Sequence, residues 1–107
     1  MKIRMAAIVG TLVLGVPVLF AQPAQQISGF VSEAHCGAEH SSPSEAATKC
    51  IKGCMKGGSQ PVLVKDGKVY QLKGKTDAVA AHAGEDVTVT GTVDGDTITV
   101  AAVEAKS

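Results

Sequence analysis

One stretch of the chain, AHCGAEHSSPSEAATKCIKGCMKGG from Ala34 to Gly58, holds all three cysteines and two of the three histidines. Thiolates and imidazoles are the ligands that zinc and copper(I) take from proteins. Cys36, His40, Cys50 and Cys54 follow the spacing C-x3-H-x9-C-x3-C. Three sulfurs and one nitrogen complete a closed tetrahedron of the structural zinc type, and a thiolate-rich set also suits copper(I). His35 stands as a substitute for His40. The spacing is not one of the common zinc-finger spacings.

The same thiols have a second chemistry. In an oxidising compartment a disulfide is the default for neighbouring cysteines. If Cys50 and Cys54 lie one turn apart on a helix, their Cβ atoms are ~5–6 Å apart, against the roughly 3.5–4.5 Å a disulfide needs. The bridge would therefore join Cys36 to Cys50 or to Cys54 and leave one thiol free. A third reading treats the cysteines as small buried hydrophobes. A redox-active pair is the least supported: the C-x-x-C motif is absent, and a thiolate at Cys54 would face the negative end of a helix, offset in part by Lys49, Lys52 and Lys56.

The elements that must position these residues can be read from local pattern. QISGFVSEAH alternates, with Ile27, Gly29 and Val31 on one side and Ser28, Phe30 and Ser32 on the other, and predicts a strand with a bend at Gly29. SSPSEAATKCIKGCMKGG predicts a helix capped by Ser42, with Pro43 in its first position and Glu45 closing a capping box. Ala46, Ala47, Cys50, Ile51, Cys54 and Met55 share its apolar face, and Gly57-Gly58 ends it, so the insertion runs over about residues 36–58.

PVLVKDGKVYQL predicts a hairpin turning at Asp66-Gly67 in a type I′ turn. KTDAVAAHAG predicts a short helix capped by Thr76 or Asp77 and closed at Gly84. DVTVTGTVDGDTITVAAVEA predicts a second hairpin turning at Asp94-Gly95, with valines and threonines on opposite faces and a bulge at Ala101-Ala102.

The fold class is therefore mainly β. Five strands, a helical insertion after strand 1 and a short helix between strands 3 and 4 give the order of a five-stranded OB-fold-like barrel, with an open roll or sandwich as the alternative. The chain begins with Lys2 and Arg4, then an apolar run from Met5 to Phe20 and polar Gln22. This is the layout of a signal peptide over 1–21, and the run is shorter than the ~20 residues of a bilayer-spanning helix. Residues 22–107 then form one exported domain, periplasmic or secreted, with no stable membrane span after processing.

Without Lys2 and Arg4 the chain carries about 8 basic and 10 acidic side chains. That balance, with Phe30 and Tyr70 the only aromatics of residues 22–107, argues against a nucleic-acid partner. No Gly-rich phosphate loop or paired catalytic carboxylates occur, and His82 and the lysines read as surface.

The segment HAGEDVTVTGTVDGDTITVAAVEA resembles the closing strands of small exported bacterial OB-like domain proteins, whose last hairpin reads aGkkVtVtGtv-dg-tI-V. HCGAEH…CIKGCMKGG followed by VLVKDGKVYQL is similar to a Cys-Gly-x-x-His, Cys-x-x-x-Cys pattern in that group, so the resemblance spans about Ser28 to Ala105. Where that group tends to carry an aspartate ahead of the first cysteine, this chain has Glu33 and His35. The resemblance implies an exported OB-like domain and no particular activity. The residues themselves point to a non-enzymatic binding domain that holds zinc or copper(I), or to a disulfide-stabilised envelope module for a small ligand or protein partner.

Overall fold

The computed structural model describes residues 23–106. The predicted signal peptide over 1–21 lies outside the described residues. Five strands follow in chain order: β1 (Gln25–Glu33), β2 (Pro61–Lys65), β3 (Lys68–Lys73), β4 (Asp86–Asp94) and β5 (Thr97–Ala105). Helix α1 (Glu45–Lys56) stands between β1 and β2, and the short α2 (Thr76–Ala80) between β3 and β4. Among the described residues no helix is long and apolar enough to cross a membrane.

The strands close into a ring in the order β1-β2-β3-β5-β4, with β4 returning to β1. All neighbours are antiparallel except β3 and β5, which run parallel over Gln71–Lys73 and Thr97–Thr99. Strand β1 serves two partners: Gln25–Phe30 pair with β4 and Phe30–Glu33 with β2. The register with β4 runs regularly through Gly29, with no bulge there; β2 instead approaches so closely that an added methyl would press to 2.8 Å on Leu63 Cγ and on the Val64 carbonyl.

Turn chemistry sets the hairpins. Asp66 and Gly67 both have positive φ, as a type I′ turn requires. The second hairpin turns one residue later than predicted, at Gly95-Asp96, because only Gly95 has positive φ there. The predicted bulge is present: Thr90 faces Ala102 and Gly91 faces Val100, leaving Ala101 without an opposite residue.

Two apolar clusters hold the fold. Ile27, Val31, Leu63, Val87, Val89, Ile98 and Val100 fill the ring, and Val79 of α2 joins them. Phe30, Val64 and Ala83 on the outside of the ring pack with Ala47 and Ile51 of α1. The alternation read for β1 is present, with Ile27 and Val31 in the first cluster and Phe30 in the second, and Phe30 through Glu33 are all buried because α1 and the loop before it cover the second face.

The helix start is also corrected. Ser44, not Ser42, is the cap: its hydroxyl accepts from the Ala47 amide at 3.0 Å, so α1 begins at Glu45 and no Ser42–Glu45 capping box forms. Only Ala47 and Ile51 of the predicted apolar face are fully buried, while Ala46 and Cys50 are exposed. Neither Thr76 nor Asp77 caps α2; Lys75, at φ 51, occupies the cap position without a side-chain bond.

The short helix ends before the predicted Gly84, with Ala81 as its C-cap; Gly84, at φ +78, ends the turn that follows and lies against Thr48 of α1, where there is no room for a side chain. That approach presses α1 to the ring and fixes where its thiols point.

Candidate metal centre

The centre lies where β1 ends. Strand β1 carries its inward face one step past Val31 to Glu33, whose side chain is completely buried. A buried carboxylate requires partners, and the local chain supplies them. Glu33 Oε1 accepts from the His35 amide at 2.7 Å and from the Ser59 hydroxyl at 2.8 Å, and Oε2 accepts from the Cys36 amide at 2.9 Å. Burial acts against the charge, but these bonds and one from the Cys36 thiol outweigh it and hold the carboxyl below the usual glutamate range.

The loop that follows is bent around this carboxylate. Ala34 N–H bonds to the Gln60 carbonyl at 2.9 Å, and the Ser32 hydroxyl donates to the Gly37 carbonyl at 2.8 Å. The Glu39 amide bonds to the Cys36 carbonyl at 3.0 Å, forming a 3-10 turn over Gly37–Glu39 that delivers His40 back toward Cys36.

From the other side, α1 presents Cys50 and Cys54. Its last turn is tied off by Gly57 N–H and Ser59 N–H, both donating to the Cys54 carbonyl at 3.0 Å. Ser59 thus closes the helix through its amide and reaches Glu33 through its hydroxyl.

The ligand atoms of Cys36, His40 and Cys50 all lie within 4.8 Å of one another, and so do those of Glu33, Cys36 and Cys54. Cys36 belongs to both sets. Cys50 is exposed, Cys36, Cys54 and His40 are half-buried, and all three cysteines are free thiols. Atoms at these separations suit a common ion: zinc–sulfur bonds of about 2.3 Å place two tetrahedral ligands roughly 3.8 Å apart.

The His35 ring belongs to neither set; its backbone amide serves Glu33 instead. His82 Nδ1 pairs with Glu85 Oε1 at 3.0 Å, away from the cysteines.

Electrostatics in the metal-free form favour protonated thiols. The hydrogen bond to Glu33, burial and the neighbouring Cys50 push the Cys36 thiol up to about 12. Burial and the Glu33 charge also raise Cys54. A cation held among these sulfurs would reverse this balance, because it would favour the thiolate at each of them.

Sequence reasoning singled out Cys36, His40, Cys50 and Cys54 as candidate ligands of one ion, which the structure gathers around Cys36 as two sets and not as one, and it did not assign Glu33 or Ser59 a part. The signal for Glu33 was present in the strand itself: it stands two residues beyond Val31, on the inward face, at the end of an otherwise apolar run. Ser59 carries no comparable local mark.

These features define a mainly β domain with a five-stranded closed sheet and a thiol-rich insertion. Residues 55–106 match the model of a family described as "Protein of unknown function (DUF5818)". The match takes in β2 to β5 and the last residues of α1, and leaves Cys36, His40, Cys50 and Cys54 outside it. No curated protein and no solved structure matches the chain.

Proposed function

We propose that this chain is an exported, OB-like, non-enzymatic binding domain that holds zinc or copper(I) through Cys36, His40, Cys50 and Cys54. The carrying observation is the convergence on Cys36, whose sulfur lies within 4.8 Å of the ligand atoms of His40 and Cys50 in one set and of Glu33 and Cys54 in another. The strand order and the parallel β3–β5 pairing support the OB-like reading. The insertion is then a metal-holding device attached to the ring, and the ion supplies a cross-link between the β1–α1 loop and α1.

Metal analysis of reduced, untagged protein tests this reading. Zinc or copper at one equivalent or more is expected, lost on chelation and absent from Cys36→Ser. An ion-free protein whose stability is unchanged by added metal would contradict it.

A second reading is favoured by the same sulfur contacts. Cys36 lies near both Cys50 and Cys54, so oxidation would bridge it to one of them and produce a clasped envelope module for a small ligand or protein partner. That reading expects one free thiol per chain without reduction, and a bridged peptide that always contains Cys36.

A further inference from the structure

The two ligand sets share a single atom, and their membership is chemically distinct. The outer set, Cys36, His40 and Cys50, opens to solvent through the exposed Cys50; the inner set, Glu33, Cys36 and Cys54, lies against the buried carboxylate. We propose that the cluster holds two divalent ions of the zinc class bridged by the Cys36 sulfur, the inner one bound by Glu33 Oε2, Cys36 and Cys54, and the outer one by Cys36, His40 and Cys50. This rests on the proposed metal-holding role and adds to it a second ion and an oxygen ligand.

Three observations carry the division. First, neither His40 nor Cys50 falls in the set that contains Cys54, while Cys36 is in both. Second, Glu33 has capacity for a metal. An ionised carboxylate offers about four lone pairs; Oε1 uses two, on His35 N–H and Ser59 Oγ, and Oε2 uses one, on Cys36 N–H. One lone pair of the carboxylate is thus left without a backbone or hydroxyl donor, and the Cys36 and Cys54 sulfurs lie within 4.8 Å of a Glu33 oxygen. When the thiol proton passes to solvent, an ion fills that place between oxygen and sulfur.

Third, charge balances. Three thiolates and one carboxylate carry four negative charges on these residues, and neutral imidazole adds none. One divalent ion leaves two charges uncompensated beside a buried carboxylate, whereas two divalent ions neutralise the cluster. The oxygen ligand favours zinc over copper(I) at the inner position, since carboxylate is a hard donor.

The test is native mass spectrometry of the reduced full chain titrated with zinc, with cadmium-113 NMR of the unsubstituted protein alongside. Two zinc ions are expected. His40→Ala and Cys50→Ser should each retain one, Glu33→Gln and Cys54→Ser should each retain one, and Cys36→Ser none at cluster affinity. The cadmium form should show two resonances coupled to each other through the shared sulfur, a readout that requires no variant to fold.

Saturation at one ion, with a single cadmium resonance and equal dependence on Cys36, His40, Cys50 and Cys54, would overturn the two-ion assignment and leave the proposed function standing. Binding of no ion would overturn both.

Discussion

The Ser59 hydroxyl donates to Glu33 Oε1 at 2.8 Å, joining the end of β1 to the residue that closes α1 across 26 positions of chain. This bond, with the packing of Ile51 on Phe30 and Val64, ties the strand that carries the Cys36 loop to the helix that carries Cys50 and Cys54. Ser59→Ala removes a donor from a buried carboxylate, a change of about 1–3 kcal/mol. Urea unfolding of the metal-free protein should show a loss of that size, and hydrogen exchange should show the last turn of α1 opening more readily.

Glu33 and Cys36 give the metal-free domain a pH dependence with two limbs. The folded carboxyl of Glu33 titrates below its ordinary value, so its contribution is present above the unfolded value of about 4.3 and is lost as pH falls through the folded one. The folded Cys36 thiol keeps its proton to about 12, so its contribution is complete below the unfolded value of about 8.5 and is lost as pH rises from there. Unfolding midpoints measured across this range should fall at both ends, and Glu33→Gln should flatten the acid limb and weaken the alkaline one.

Thiol reactivity should follow the same pattern. Cys50 is the exposed cysteine and Cys36 the one held protonated by Glu33. Alkylation at neutral pH, resolved by peptide mass, should reach Cys50 first and Cys36 last. Glu33→Gln removes the charge that raises Cys36 and should speed its modification; an unchanged rate would separate the thiol from the carboxylate.

The seat of α1 should be sensitive to side-chain volume in opposite directions. Ile51 is fully buried against Phe30 and Val64, so Ile51→Ala should cost about 2–5 kcal/mol. Gly84 faces Thr48 at positive φ with no space for a side chain, so Gly84→Val should destabilise by displacing the helix. Both variants should also weaken metal retention, because Cys50 and Cys54 lose their fixed place relative to Cys36.

Much of the frame was legible in the sequence because its causes are local. Asp66-Gly67 specifies its turn from two residues, and the alternating valines and threonines of β4 specify a half-buried strand from nine. The cap of α1 was misplaced by two residues because Ser42 and Ser44 both precede the helix, and only the bond from Ala47 N–H decides between them.

What the sequence pattern could not reveal depended on distant partners. Phe30 reads as the outer face of a strand until α1 packs over it. Glu33 reads as a polar strand end until Ser59 and the Cys36 amide arrive at its oxygens. The four candidate sulfur and nitrogen ligands were recognisable by residue type, whereas their division around Cys36 comes only with the folded loop.

The most direct measurement is the metal content and thiol count of untagged protein isolated under reducing conditions, taken with and without chelator. Bound zinc or copper is expected, with Cys36, Cys50 and Cys54 protected from alkylation until the chelator removes it. An ion-free protein, with the three thiols modified at the same rates in both samples, would contradict the metal-holding function.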